Sequence, residues 1–321
     1  MSASSVTIGG KPLGKWRASW LLFKESVRFL KADSEMVFIP VVTSLASLFL
    51  IALLCIITFF VTWGGSFEVL SAWFETFSEQ EESVPLPFYL FLFCLYVISA
   101  FTLALSQAGI AHIVYTRVHG GDATLKQGLT TAFSHWFSLL LWSLITSTVG
   151  VALQMIAERS KIVGNIVIAL LGTAWAVLTY FVVPAMVIDK KSAFASIGHS
   201  ASVFKKTWGE TLVSNISIAI VFIFINLAII AGAIGLVVLA FVADLWALVL
   251  VAIVLAVISL FVSALVQSTL NGVLKTLLYV YASEGIVPSN FNQELLEKML
   301  SKNGTVEVTT SETSTQNIVT H

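Results

Sequence analysis

Residues whose chemistry could support catalysis are few in this sequence and widely spaced. None of its histidines shows a metal-ligand spacing; they are His112, His119, His135, His199 and His321. There is no G-x-S-x-G, no H-E-x-x-H and no glycine-rich phosphate loop in the chain. We therefore expect no catalytic activity and no cofactor. The cysteines Cys55 and Cys94 lie inside apolar runs and are expected to be small hydrophobic side chains; a disulfide between them is the alternative.

Neutral polar side chains inside long apolar runs are a second group of candidates. Ionisable groups within a membrane are costly and often mark ion paths, and the central parts of these runs contain none. Hydrogen bonding between helices explains such neutral groups, with a solute path as the alternative. The candidates are Asn226, Thr146, Gln107 and Gln267. Pro184 joins them, because its ring frees a carbonyl near Tyr180 and predicts a kink that could act as a hinge.

Lysines form the third group, because they accompany amphipathic segments that flank the apolar runs. A helix with one cationic and one apolar face lies along a membrane surface and attracts anionic headgroups. We predict lipid-headgroup contacts for Lys24, Lys31, Lys190, Lys191, Lys205 and Lys206. No basic cluster is interleaved with aromatic residues, so nucleic acid is not an expected partner.

The composition places all these candidates in a polytopic membrane protein. Of 321 residues, 57% are apolar and 11% are charged, whereas soluble domains contain about 25% charged residues. A hydrocarbon core about 30 Å thick needs about 20 apolar residues of helix. Six runs meet this requirement and predict an all-α bundle of six transmembrane helices, at about 37–62, 87–113, 136–157, 162–188, 211–240 and 245–272. The membrane domain would cover 16–300, between a flexible tail at 1–15 and a disordered tail at 301–321.

Amphipathic segments precede the first, third and fifth spans, which indicates three units of surface helix plus transmembrane hairpin. In the first, apolar residues at helical spacing are Trp16, Trp20, Phe23, Val27 and Leu30; packing on the protein itself is the alternative to a membrane surface. The second places Leu125, Leu129, Phe133 and Trp136 on one side. The third places Phe194, Ile197, Ala201, Phe204 and Trp208 opposite His199, Ser202, Lys205 and Lys206.

Charge predicts how the spans are oriented. All of the 17 Lys and Arg residues except Arg159 and Lys161 fall on one side of the predicted topology. By the positive-inside rule, both termini lie in the cytoplasm and the protein lies in the cytoplasmic membrane. The acidic segment at 63–87 would be external, with no role that the sequence indicates.

Several motifs resemble an uncharacterised family of bacterial and archaeal integral membrane proteins, whose domain has no known function. They are Gly172-Thr173-Ala174-Trp175, Tyr180-Phe181-Val182-Val183-Pro184, Lys205-Lys206-Thr207-Trp208-Gly209-Glu210, the lead Ser19-Trp20 through Pro40, and the ending Tyr281 through Phe291. The resemblance covers about 16–300 and implies a membrane fold but no activity. A looser likeness links the chain to the membrane domain of some glycerophosphodiester phosphodiesterases, but we expect no counterpart of their catalytic domain in these residues.

Two functional hypotheses follow from these observations. The first is a non-enzymatic membrane-organising or accessory protein, whose partners are membrane lipids, anionic ones included, other membrane proteins or further copies of the chain. The alternative is a transporter or channel for a neutral or amphiphilic solute, which would use Asn226, Thr146 and the Pro184 kink.

Overall fold

A computed structural model describes residues 7–8, 11–12, 26–31, 33–68, 71, 86–159 and 163–286. Nearly all of these residues are helical, so the predicted all-α class is confirmed. Two short strands, β1 (Thr7–Ile8) and β2 (Lys11–Pro12), pair antiparallel near the start of the chain. The predicted C-terminal tail and most of the acidic segment lie outside the described residues.

Within the part of the chain that the structure describes, eight long or medium-length α-helices follow a helical stretch at 26–31 and a 3-10 helix at Ser34–Val37. They are α1 (Phe38–Trp63), α2 (Leu86–Val118), α3 (Leu125–Ser134), α4 (Trp136–Arg159), α5 (Val163–Leu178), α6 (Val182–Ile188), α7 (Ala193–Val242) and α8 (Trp246–Glu284). Among the described residues, six segments are long and apolar enough to cross a membrane, namely Ser34–Thr62, Tyr89–Val118, Trp136–Ile156, Ala169–Ile188, Ile218–Val242 and Trp246–Glu284. The predicted six-span architecture is therefore confirmed.

The fourth span is interrupted where the sequence predicts a kink. Helix α5 ends at Leu178, and α6 begins at Val182. Pro184 then lies in the first turn of α6, where its missing N–H costs least. The backbone N–H of Phe181, inside the break, donates to Ser200 Oγ of α7 at 2.9 Å. The break is thus held by α7.

The third amphipathic segment differs from the prediction in one way. It is continuous with the fifth span in the single helix α7, because the stretch around Lys205 and Glu210 contains no proline and the lone Gly209 does not end a helix. The side chains of this segment that are buried in the protein are Ala193, Ser196, Ser200, Val203 and Phe204, while Phe194, on the predicted apolar side, is 65% exposed. Small Ala and Ser side chains allow this part of α7 to pack closely on its own protein.

The other two amphipathic segments also pack on the bundle. In the stretch 26–31, Leu30 is buried and Lys31 is exposed. In α3, Leu125 and Leu129 pack against the core, whereas Phe133 and the first residue of α4, Trp136, are more than half exposed. Contact of their outer faces with a membrane surface stays a prediction.

Helix α2 lies at the centre of the bundle and contacts α1, α3, α4, α6 and α8. Glycines permit the closest approaches. A Cβ added at Gly128 of α3 would lie 2.9 Å from Ile113 and 3.1 Å from the carbonyl oxygen of Gly109, both on α2. A Cβ added at Gly272 of α8 would lie 3.1 Å from Ile110. Both contacts are on the C-terminal half of α2, so the core of the protein is concentrated there.

The remaining halves of α1, α7 and α8 expose long apolar surfaces. Phe60, Val242 and Trp246 are 63%, 81% and 66% exposed. A soluble monomer rarely exposes a continuous apolar surface of this extent, whereas helices surrounded by lipid do so without cost. Cys55 and Cys94 are free thiols in α1 and α2.

Candidate functional site

Charged and titratable side chains gather at one end of the bundle, which we name the polar end. It comprises the stretches 26–31 and 33–37, the C-terminal parts of α2 and α8, helix α3, and the turn between α6 and α7 with the start of α7. Ion pairs join the stretch before α1 to the end of α2, the segment after α2 to the end of α8, and the start of α7 to the turn before it. The predicted spans end here because apolar periodicity gives way to residues that need water or a charged partner.

Arg117 joins the ends of two spans. Its Nε donates to Asp33 Oδ2 at 2.6 Å, and its other arm reaches Asp122 Oδ1 at 2.9 Å. The Asp33 side chain is only 7% exposed, whereas that of Asp122 is 84% exposed. Because Asp33 precedes α1 and Arg117 ends α2, the pair holds the entrance of the first span against the exit of the second.

Two histidines also lie within ion-pair distance of carboxylates. One joins the segment after α2 to α8, and the other joins α7 to the turn before it. His119 Nε2 lies 2.9 Å from Glu284 Oε2 at the end of α8, and its Nδ1 lies 2.8 Å from the carbonyl oxygen of Tyr115. His199 Nε2 lies 3.1 Å from Asp189 Oδ2, which also accepts a hydrogen bond from Lys191 Nζ at 2.7 Å. Each carboxylate therefore has an internal cationic or hydrogen-bonding partner.

Lys275 of α8 has a different environment. Its ammonium donates to Gln107 Oε1 of α2 at 2.9 Å and lies 4.9 Å from the centre of the Tyr180 ring, within the break between α5 and α6. Its neighbours along α8, Leu274 and Thr276, are buried. Both contacts of the ammonium are thus with neutral groups, one through a carbonyl oxygen and one through a cation–π interaction.

The predicted polar residues of the spans fall at different levels of the bundle. Asn226 Oδ1 accepts a hydrogen bond from Ser263 Oγ at 2.7 Å, which joins α7 to α8. Gln107 instead binds Lys275, about 18 Å from Ser263 along α8 at 1.5 Å per residue. Thr146 and Gln267 are half-buried in α4 and α8. Asn226 and Gln107 therefore serve separate helix contacts and are not brought together.

The lysines predicted to contact lipid headgroups differ in their exposure. Lys31, Lys190 and Lys205 are exposed at the polar end, and Lys191 is half-buried against Asp189. Lys24 and the side chain of Lys206 lie outside the described residues. Within the part of the chain that the structure describes, no three His, Cys, Asp or Glu residues lie close enough to hold a metal ion.

The Lys275 contact was missed in the sequence because counting apolar residues from the start of the sixth span places Lys275 beyond the membrane. A signal was nevertheless present. Ser263, Gln267, Asn271, Lys275 and Tyr279 follow one another at intervals of four residues, which forms a polar ridge along a helix. The ridge meets α7 through Ser263 and α2 through Lys275.

Comparison with known proteins gives one family. A model described as a family of unknown function (DUF6159) matches residues 86–289, well over half of the chain. No curated protein matches the chain. The match confirms the resemblance to a family without known function, although it begins at α2 and leaves out the N-terminal lead. The likeness to glycerophosphodiester phosphodiesterases finds no support. The chain belongs to the family of unknown function DUF6159.

Proposed function

We propose that this protein is a non-enzymatic membrane-organising protein that gathers anionic lipids around the polar end of its bundle, in the cytoplasmic leaflet. The observation that carries this proposal is the unequal exposure of charge at that end. Four acidic side chains are engaged in internal pairs, namely Asp33, Asp122, Asp189 and Glu284. Exposed lysines remain at Lys31, Lys126, Lys190 and Lys205, alongside the exposed Glu35.

Exposed lysines next to a membrane attract anionic lipids by about 1 kcal/mol each. This attraction falls off over a Debye length of about 8 Å at physiological salt, so only lysines at the headgroup level contribute. The ion pairs of the polar end engage Asp33, Asp189 and Glu284 within the protein and Asp122 at its surface, so the exposed charges outside these pairs are mainly cationic. Partner membrane proteins or a second copy of the chain would pack on the exposed apolar halves of α7 and α8.

The lipids that surround the protein test this proposal. The full chain is extracted with its native bilayer in copolymer discs, and the anionic lipid fraction in the discs is measured by mass spectrometry. The variant Lys31→Gln, Lys126→Gln, Lys190→Asn, Lys205→Gln should lower that fraction at least twofold towards the value of the bulk membrane. The control Arg159→Gln, Lys161→Gln, which removes cations predicted for the opposite side, should leave it unchanged. Equal enrichment in all three proteins would refute the proposal.

A second candidate function is a transporter or channel for a neutral or amphiphilic solute. The observation that favours it is the break at Thr179–Phe181 beside Pro184, because an interrupted span can bend during a transport cycle. Pro184→Ala should then reduce solute flux into proteoliposomes at least tenfold while leaving folding intact. Flux that is absent in the wild type, or unchanged in the variant, would exclude this role for the break.

A further inference from the structure

The ammonium of Lys275 points into the bundle, away from the polar end. Helices α2 and α8 run in the same direction, since Gly272 lies beside Ile110 while Glu284, at the end of α8, pairs with His119, just after the end of α2. Lys275 follows Gly272 on α8, yet its ammonium binds Gln107, which precedes Ile110 on α2. The side chain therefore reaches backwards, as the tilt of Cα–Cβ bonds towards a helix N-terminus favours.

This direction is opposite to the usual behaviour of lysine near a membrane surface. A lysine at a helix end normally extends its ammonium towards water and headgroups. An ammonium turned inward must find its partners inside the protein, because burying a charge without them is costly. An inward-pointing ammonium in a membrane helix therefore indicates a functional site at Lys275.

The partners that Lys275 finds do not neutralise its charge. Gln107 and the Tyr180 ring are both neutral, and an ammonium carries three N–H donors. Among the described residues no carboxylate lies within ion-pair distance of Lys275, whereas Arg117 and Lys191 at the same end each have one. One donor is used on Gln107, so the site has both charge and hydrogen-bonding capacity for an anion.

The depth of the ammonium identifies the source of that anion. Gln107 lies about 30 Å along α2 from Leu86 at 1.5 Å per residue, which is about the thickness of the hydrocarbon core. Ile39, in the first turn of α1, lies beside Gly109 at the same level. With the start of α2 taken as one edge of the hydrocarbon core, we expect the ammonium at the level of the opposite boundary between acyl chains and headgroups. Lys275, Gln107 and Tyr180 are each only half-buried, so a lipid at this boundary can reach them.

We propose that Lys275, with Gln107 and Tyr180, forms a binding site for the phosphate of a single anionic phospholipid. This proposal rests on the proposed function, because it takes the polar end to face an anionic leaflet. The lipid phosphate accepts hydrogen bonds from the ammonium, which Gln107 and the Tyr180 ring hold in place. Unlike the lipids around the exposed lysines, this one occupies a defined position inside the bundle, where salt screens the charge much less.

Native mass spectrometry of the full chain in neutral detergent tests the site, with phosphatidylglycerol, phosphatidylcholine and inorganic phosphate as probes. The wild type should retain one phosphatidylglycerol, bound at least tenfold more tightly than phosphatidylcholine, and should keep it at 0.5 M salt by the weak screening of buried charge. Lys275→Met should lose this preference, and the control Arg159→Met, Lys161→Met, on the side predicted to be opposite, should keep it. Displacement by equimolar inorganic phosphate would assign the site to a free anion and overturn the lipid proposal.

A second variant, Gln107→Glu, tests the same site in case Lys275→Met does not fold. Gln107→Glu places a carboxylate at the ammonium and occupies it from within, so the protein should fold with a raised melting temperature and bind phosphatidylglycerol at least tenfold more weakly. Unchanged binding in Gln107→Glu or in folded Lys275→Met would overturn the proposal. If the multiple-lysine variant loses its lipid enrichment while the salt-resistant lipid stays, the two classes of lipid are separate. If Lys275→Met still retains the salt-resistant lipid while the multiple-lysine variant loses its lipid enrichment, the Lys275 site is refuted and the proposed function stands.

Discussion

At the scale of single residues, polar groups of this protein serve mainly to join helices. Arg117 connects the entrance of α1 to the exit of α2, His119 connects α2 to α8, and Asn226 connects α7 to α8. Each link joins residues far apart in the sequence, so no local motif announces it. The residue types were visible in the sequence, but their partners depend on which helices become neighbours.

The two aspartates that pair with Arg117 differ in burial. We therefore predict that replacing them lowers the free energy of unfolding by different amounts. Asp33→Asn removes the charge of a carboxylate that is 7% exposed and should lower the free energy of unfolding by about 2 kcal/mol, as for hydrogen bonds to charged groups. Asp122→Asn removes the partner that is 84% exposed and should cost under about 1 kcal/mol. Unfolding by SDS titration measures both. A loss for Asp122→Asn that equals that of Asp33→Asn would contradict the assignment.

The hydrogen bond between Ser263 and Asn226 predicts a measurable coupling in stability. Asn226→Leu and Ser263→Ala should each destabilise the bundle, and the double variant should show a coupling of about 0.6–1.7 kcal/mol, as for other interhelical hydrogen bonds in membranes. SDS unfolding of the four proteins gives this value. Strictly additive effects would mean that Asn226 does not hold α7 to α8, and would return it to the candidates for a solute path.

At the scale of helices, close packing depends on small residues around α2. Glycines of α3 and α8 lie where any side chain would meet α2, and Ala and Ser residues line the buried face at the start of α7. Hydropathy identified the spans from the sequence. It could not identify the buried face of α7, because a face of small residues is less apolar than the face of Phe194 that points away from the core.

The contact between α3 and α2 gives a prediction with a matched control. Gly128→Ala would place a methyl group 2.9 Å from Ile113, so overpacking should destabilise the protein by about 1–3 kcal/mol. Gly150→Ala in α4 meets no atom within 4 Å, and should be neutral or stabilising by up to about 1 kcal/mol through helix propensity. Melting temperatures in detergent compare the two. Equal melting temperatures would show that α3 does not pack on α2 through Gly128.

At the scale of the whole molecule, the bundle has two unlike ends. The polar end contains the ion pairs, the exposed lysines and the inward-pointing Lys275, and the opposite halves of α1, α7 and α8 are apolar and exposed. The number of spans followed from helix length and hydropathy, since about 20 apolar residues are needed for each crossing. The inward direction of the Lys275 side chain could not be predicted from the sequence, because it depends on the parallel packing of α2 and α8.

The measurement that tests the account most directly is the side of the membrane on which the polar end lies. Single cysteines are introduced as Lys126→Cys at the polar end and Ala243→Cys at the turn between α7 and α8, after Cys55 and Cys94 are changed to Ser; both introduced positions are exposed. In intact cells, a thiol reagent that cannot cross membranes should label position 243 and should reach position 126 only after lysis. Labelling of position 126 from outside would contradict the cytoplasmic polar end and both lipid proposals with it.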